Sequence, residues 1–370
     1  MNCFDKFDWN TMMKQHPFAE YDTEKYHRIL EKEIPEFLKK YIQLPMLQRL
    51  KGIGLLCGTD WTKLYNNRFY YSRLDHSIGV ALIIWHFTQD KAQTIAGLLH
   101  DVSTPVFSHV SDFRKGDALT QTATEAPNEG LIRGNKQLLE LLRRDGLLVE
   151  QVEDYHKYPV ADNEIPQLSA DRLEYMFPSG MALDGSWDLP SIERAYKDIE
   201  ILTNEDNLPE LGFNTVEIAE DYTYRFCMIG HILQLNENKL TLQLLGQIMN
   251  LAVEEGLIPE EAFMKNSEAE VFELLENQLT DNKHPYINKL LNTFKNMTCI
   301  EHTDKALDEN EYFCVSLKVK QRYINPLVKV MREDGSFYCK RLSEVSEKTK
   351  NLIKDFLSYE DRAYGCVKMV

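Results

Sequence analysis

Most of the chain alternates apolar and polar residues with the period of a helix. Over Thr23–Tyr41 the residues Tyr26, Ile29, Leu30, Ile34, Phe37, Leu38 and Tyr41 share one face behind a Thr23 cap, which predicts a single helix. Ser77–Phe87 and Lys91–Leu99 are short and almost wholly apolar, and Asn135–Leu148 repeats Leu at helical spacing up to Gly146. Further helices are predicted over Ser191–Leu202, Thr215–Leu235, Leu240–Glu255 and Ser267–Leu279. Arg114–Gly130 and Pro178–Pro190 are too polar for core elements and are expected as loops over a site. Beyond about residue 310 the period changes. Phe313, Val315, Leu317 and Val319 alternate with Ser316, Lys318 and Lys320 as in a half-buried strand. Glu333–Ser336 is a turn signal before a second run, Phe337–Cys339. A helix over Ser343–Leu357 and a final run Ala363–Val370 complete the piece. The expectation is a mainly α protein: a helical body over residues 1–310 and a small α+β C-terminal subdomain over 311–370.

With 370 residues, 43% hydrophobic and 27% charged, the chain can bury a large core, which excludes wholesale disorder. No apolar run is long enough to span a bilayer, and residues 1–15 lack the pattern of an export signal. Seven cysteines with no CxxC pair fit reduced thiols. A cytoplasmic location away from membranes is expected. The net charge of −16 is uneven: residues 188–281 hold 20 Asp/Glu against 5 Lys/Arg. Such a field repels a polynucleotide, so a nucleic-acid partner is not expected. A small anionic substrate remains open, because a pocket sets its own potential.

The chemistry is concentrated in four segments. They are Ser72–Val80 (SRLDHSIGV), Gly97–Asp101 (GLLHD), Pro105–His109 (PVFSH) and Leu168–Tyr175 (LSADRLEY). His100 and Asp101 end one apolar helix and His76 opens another, so an ionised Asp stands beside imidazoles where helices must pack. Burying that charge requires a cation. Two imidazoles with two carboxylates, the second from Asp171, suit Mn, Fe, Co, Ni or Zn.

The ordered set His76, His100-Asp101, Asp171 resembles the H…HD…D signature of the HD-domain metal-dependent phosphohydrolases. RxxHSxGV, LLHD, PxFSH and ADRLEY are similar to segments of the deoxynucleoside triphosphate triphosphohydrolase (dGTPase) branch. Leu47–Leu50 and Val319–Val328 also resemble family segments, so the likeness covers about residues 40–370. It implies an HD-domain helical body in which His76, His100, Asp101 and Asp171 bind one divalent ion, Mg being a further candidate. It also implies that Arg73 meets a phosphate oxygen, that His109 lies near the scissile phosphate and that Tyr175 lines the substrate pocket. Relatives often form dimers or larger assemblies, so a homo-oligomer is a further implication.

Several positions depart from that family. Thr104 stands where a phosphate-contacting His is usual, and Asn128-Glu129 where a His-Glu pair supplies the acid/base. Gly54–Cys57 (GLLC) replaces a segment that helps read deoxyribose, and Pro178-Ser179 replaces an Arg-Asp. Release of triphosphate from a dNTP is therefore not expected. Hydrolysis of a nucleotide or related small phosphate is, with Glu129 or His156 as replacement proton handlers. Three further readings concern other residues. His86 and His231 read as core histidines, and Trp61 and Tyr65 as packing aromatics with a lesser claim to base stacking. The competing function is a catalytically reduced HD protein that binds a nucleotide or metal and regulates a partner. A di-iron oxygenase would need more histidines between Asp101 and Asp171 than His109 and His156.

Overall fold

The two most apolar stretches of the sequence form the central helix pair, α3 (Arg73–Thr88) and α4 (Lys91–Leu99). In the computed structural model, which describes residues 2–6, 9, 22–65, 67–119, 127–280 and 283–370, the two helices are buried over most of their length, from Arg73 to Ile84 save Asp75 and from Thr94 to Leu99. Ser72 and Asp75 exchange side-chain and backbone hydrogen bonds in a capping box that starts α3. Gln89, at φ 52°, ends it, and Asp90 caps α4. A Cβ on Gly97 would lie 2.2 Å from Ile84 Cδ1, so glycine there lets the two helices close on each other.

Around this pair lie α1 (Thr23–Leu30), α2 (Glu36–Ile42), α5 (Val110–Arg114), α6 (Asn128–Gly134) and α7 (Lys136–Asp145). They are followed by α8 (Ala170–Leu183), α9 (Leu189–Lys197), α10 (Val216–Gln234), α11 (Asn236–Glu254), α12 (Glu268–Gln278) and α13 (Pro285–Asn296). The helix expected over Thr23–Tyr41 is two, because Pro35 forces its predecessor out of the helical region and opens α2 instead. The loop expected over Pro178–Pro190 is largely helix: α8 runs to Leu183 with Pro178 inside it. Pro178 cannot donate to the Glu174 carbonyl one turn back. The Tyr26 hydroxyl donates to that oxygen at 3.4 Å, so the carbonyl is not left orphaned. The loop expected over Arg114–Gly130 is helical at both ends, and its residues 120–126 lie outside the described residues.

Two sheets complete the fold. The first has the order β1-β2-β5-β6, with β1 (Ile199–Thr203), β2 (Pro209–Phe213), β5 (Leu327–Met331) and β6 (Phe337–Arg341). β1 and β2 form an antiparallel hairpin, while β2 pairs in parallel with β5 at Gly212↔Leu327. The helix expected over Ser191–Leu202 therefore stops at Lys197, and Ile199 and Ile201 become strand residues flanking an outward Glu200. The second sheet, β3-β7-β4, joins β3 (Glu301–Thr303), β7 (Tyr364–Lys368) and β4 (Tyr312–Val315). Cys314 and Cys366, opposite each other on β4 and β7, form a disulfide where reduced thiols were expected. The C-terminal helix α14 (Glu347–Ser358) is capped by Ser346. The whole is a helical body with a small α+β region toward the C-terminus. Among the described residues no helix is long and apolar enough to cross a membrane.

Candidate metal centre

His76 lies in the first turn of α3, His100 and Asp101 at the end of α4, and Asp171 in the first turn of α8. Packing of these helices brings the four side chains to one point. His76 Nε2 lies 3.2 Å from His100 Nε2 and 3.1 Å from Asp171 Oδ1. His100 Nε2 is 3.7 Å from Asp171 Oδ1 and 3.6 Å from Asp101 Oδ2. Both imidazoles are buried, with only 1% and 6% of their surface exposed.

The other ring nitrogens decide whether an ion fits. His76 Nδ1 meets Glu174 Oε2 at 2.5 Å, and His100 Nδ1 meets the Gly97 carbonyl at 2.7 Å. Each Nδ1 faces an acceptor and so carries the proton, which leaves both Nε2 lone pairs aimed at the same spot. Two lone pairs and two carboxylate oxygens converging away from water repel one another unless a cation lies among them. The donor set therefore fits a divalent metal, though not one metal in particular. With no cation among these groups a proton takes its place: burial disfavours the His76 imidazolium, but Glu174 and Asp171 overcome it and push the group up to about 10, so a metal ion would displace that proton from Nε2. Burial likewise favours the neutral acid of Asp101, yet Arg73 and the two imidazoles hold its carboxyl well below the usual range.

Several neighbours fix this cluster. Arg73 donates from Nε to Ser108 Oγ at 3.0 Å and from Nη1 to Asp101 Oδ2 at 2.9 Å. Thr104 spends its hydroxyl on Asp101 Oδ1 at 2.8 Å. Arg49, from the Leu47–Leu50 segment, donates to the carbonyls of Val102 and Thr104 and so pins the turn after Asp101. Phe107 and Ser108 both adopt positive φ, 63° and 52°, a strained pair of non-glycine residues that turns Ser108 and His109 toward the site. A Cβ on Gly79 would lie 2.4 Å from Glu174 Oε1. That glycine, in the HSIGV segment, is what admits Glu174 beside His76.

His109 and Tyr175 line both pockets that open on the cluster, and His156 stands at the rim of the more polar one. His109 Nδ1 donates to the fully buried Asp112 at 2.9 Å, leaving Nε2 as a proton acceptor. Burial lowers the His109 pKa; the Asp112 hydrogen bond opposes this, and the charges of Arg322 and Arg73 add to it. His156 is about half exposed and pairs with Asp154 at 2.9 Å. Glu129 is not brought to the site: it is exposed on α6 and ion-paired with Arg133 one turn on at 3.1 Å. His86 is no core residue, being 45% exposed and 3.2 Å from Glu31. His231 is buried between Phe4 and Tyr359, as expected. Trp61 donates to Glu268 and packs on Phe272, while Tyr65 lines the apolar pocket.

Sequence reasoning passed over Glu174 and Arg322. Glu174 had a signal, since it falls three residues after Asp171 and so on the same face of a helix. Arg322 lies 151 residues beyond Asp171 in the chain, and its only signal was the likeness of Val319–Val328 to a family segment, which assigned it no role.

No family profile matches the chain. It is 32% identical over 142 residues to the uncharacterized protein YdhJ of Bacillus subtilis (strain 168), a match spanning 37% of this chain and 41% of that protein. It is 20% identical over 255 residues to the metal-dependent phosphohydrolase cns2 of Cordyceps militaris, covering 68% and 72% of the two chains. Among solved structures, a phosphohydrolase from Bacteroides thetaiotaomicron VPI-5482 superposes with a TM-score of 0.57 at 16% identity, over 91% of this chain and 96% of that one. A hypothetical protein from Aquifex aeolicus gives 0.58 at 15% identity, over 91% and 93%. The chain shares the fold of these two structures. Its buried His-His-Asp group, together with the likeness to a metal-dependent relative, supports a divalent metal.

Proposed function

We propose that the chain is a metal-dependent HD-type phosphohydrolase acting on a small phosphate ester or anhydride, nucleotides included. The observation that carries this reading is the convergence of two imidazole Nε2 atoms and two carboxylates on the floor of a pocket bordered by Arg73 and Arg322. The phosphohydrolase named among the relatives and the one among the solved structures add support.

His76, His100, Asp101 and Asp171 would hold the ion. Bound there, it supplies Lewis acidity toward a phosphoryl oxygen and lowers the pKa of water. Arg73, held rigid by Asp101 and Ser108, presents its remaining donors to phosphate. His109 Nε2, set by the hydrogen bond to Asp112, takes a proton from the attacking water. The water oxygen bonds to phosphorus, the bond from phosphorus to the leaving oxygen breaks, and the leaving oxygen takes up a proton. The His109–Asp112 pair favours a hydrolase over a non-catalytic HD protein, because it can do the proton work that Glu129, away from the site, cannot.

The test is phosphate release from nucleoside mono-, di- and triphosphates and simple esters, with Mn, Fe, Co, Ni, Mg or Zn supplied separately. Wild type is compared with His100→Ala/Asp101→Ala. Metal-dependent turnover that vanishes in the double variant is the expected result. Absence of turnover with every metal and every ester, by protein that binds metal, would overturn the reading.

A further inference from the structure

Two pockets meet at the candidate metal centre, and they share Arg73, His109, Asp171, Tyr175, Lys320 and Arg322. Their characters differ. The polar one is bordered by Asp101, Asp162, Glu164 and Asp171. Arg73 is ion-paired with Asp101 at 2.9 Å and Arg172 with Asp162 at 3.2 Å, and Lys320 and Arg322 are the other cationic side chains of the lining. Four carboxylates and four cationic side chains cancel, so a divalent ion leaves room for about two negative charges, the load of one phosphomonoester. A triphosphate would bring charge that nothing there offsets.

The second pocket is mainly apolar, with Leu55, Leu56, Leu183, Leu233, Leu242 and Val319 in its walls. Ser179 adds one small hydroxyl to its border, and three other polar side chains there already have partners. The Tyr65 hydroxyl donates to Asn238 Oδ1 at 3.4 Å, and Asn238 Nδ2 donates to the Leu233 carbonyl at 3.0 Å. Thr59 Oγ1 accepts from Asn67 Nδ2 at 3.0 Å. A nucleobase or sugar seated here would give up more hydrogen bonds to water than these walls can return, whereas an apolar group would lose nothing.

Arg322 stands between the two. Its guanidinium lies 6.0 Å from the centroid of the Tyr175 ring. Its backbone is held close to α10, where a Cβ on Gly230 would lie 2.4 Å from the Arg322 carbonyl. Downstream, Asn325 N donates to the Pro166 carbonyl at 2.8 Å. The residue is therefore carried on a fixed backbone at the junction of the charged and apolar spaces.

Resting on the hydrolase reading above, we infer that the substrate is a phosphomonoester of an apolar alcohol. Its phosphate lies between Arg73 and Arg322, and its organic group fills the leucine-walled cavity. Arg322 is then a substrate-binding residue supplied by the C-terminal part of the chain.

The experiment measures kcat/KM of the metal-loaded full chain for 1-naphthyl phosphate, AMP and ATP. A preference for 1-naphthyl phosphate over AMP of tenfold or more, with ATP poorest, is expected. Arg322→Gln should raise KM for 1-naphthyl phosphate at least tenfold with a smaller change in kcat, and Arg322→Lys should recover part of it. Leu55→Gln should shrink the naphthyl-to-AMP ratio. AMP or ATP turned over as well as 1-naphthyl phosphate would overturn the inference and leave the hydrolase reading standing. Failure of all three esters with every metal would overturn both.

Discussion

His76 and Glu174 are joined by a contact of 2.5 Å between Nδ1 and Oε2, on a carboxylate that is completely buried and also accepts from the Tyr71 hydroxyl at 2.6 Å. The carboxylate fixes the ring's tautomer and raises the basicity of the opposite nitrogen. Glu174→Gln keeps the shape and loses the charge. The expected result is a metal affinity weakened about 10–100-fold with the fold intact, measured by competition with a chelator.

Gly79 follows from the same pair. An interior Gly→Ala change in a helix ordinarily stabilises by about 1 kcal/mol. Here the new methyl would lie 2.4 Å from Glu174 Oε1. Gly79→Ala is expected to destabilise by roughly 1–3 kcal/mol instead, read as a lower urea midpoint, and to weaken metal binding as Glu174 is displaced. Stabilisation would show that Glu174 can move aside without cost.

His109 is expected to act in its neutral form. Burial and the nearby arginines lower its pKa from the ordinary value, so activity is retained on acidification until pH falls through that lowered value. The acid limb of kcat/KM should lie below about pH 6.5. Asp112→Asn removes an interaction that raises the pKa and should move the limb lower still. His109→Gln should cost about 10²–10⁴ in rate.

Glu268 sets a pH dependence of stability apart from catalysis. Burial pushes its carboxyl up to about 7, against the hydrogen bonds it accepts from Trp61 and Gly54. Between the ordinary carboxylate value and 7 the folded chain holds a proton that the unfolded chain has released. Stability from this group therefore falls as pH rises through that window. The loss should be on the order of 1–3 kcal/mol, seen in denaturant melts from pH 4.5 to 8, and Glu268→Gln should flatten that part of the profile.

Removal of the metal should destabilise the protein, since an ion bound only by the folded chain adds about 2.7 kcal/mol at 100 times its dissociation constant. Thermal melts after chelation and after readdition of Mn or Ni check this. His100→Ala should show no response to the metal.

The candidate metal ligands were legible because each sits in a local segment whose apolar surroundings make a charged side chain conspicuous. Asp101 closes an apolar helix, and such a residue needs a partner whatever the fold. Glu129 was misread because its position in a motif was taken to imply a place in the site, whereas an i,i+4 pairing with Arg133 holds it on the surface. The strand at Ile199–Thr203 was hidden because Ile199 and Leu202 also continue the helical apolar face of Ile192, Ala195 and Tyr196, and pairing with β2 decides between them. Arg322 stood in the Val319–Val328 segment, yet its place at the site was hidden for a related reason: parallel pairing of β2 with β5, more than 110 positions apart, fixes the strand that follows it. Contacts made at such separations leave no periodic trace.

That parallel pairing also orders events in time. A growing chain presents both imidazoles and both carboxylates once residue 171 has been made. Lys320 and Arg322 come about 150 residues later, and β5 and β6, which lock their segment to the body, later still. The four candidate ligands thus precede in the chain the two cationic side chains that border the pocket. The pocket of the proposed hydrolase is therefore complete only with the last sixth of the chain, although its four candidate metal ligands all lie in the first half.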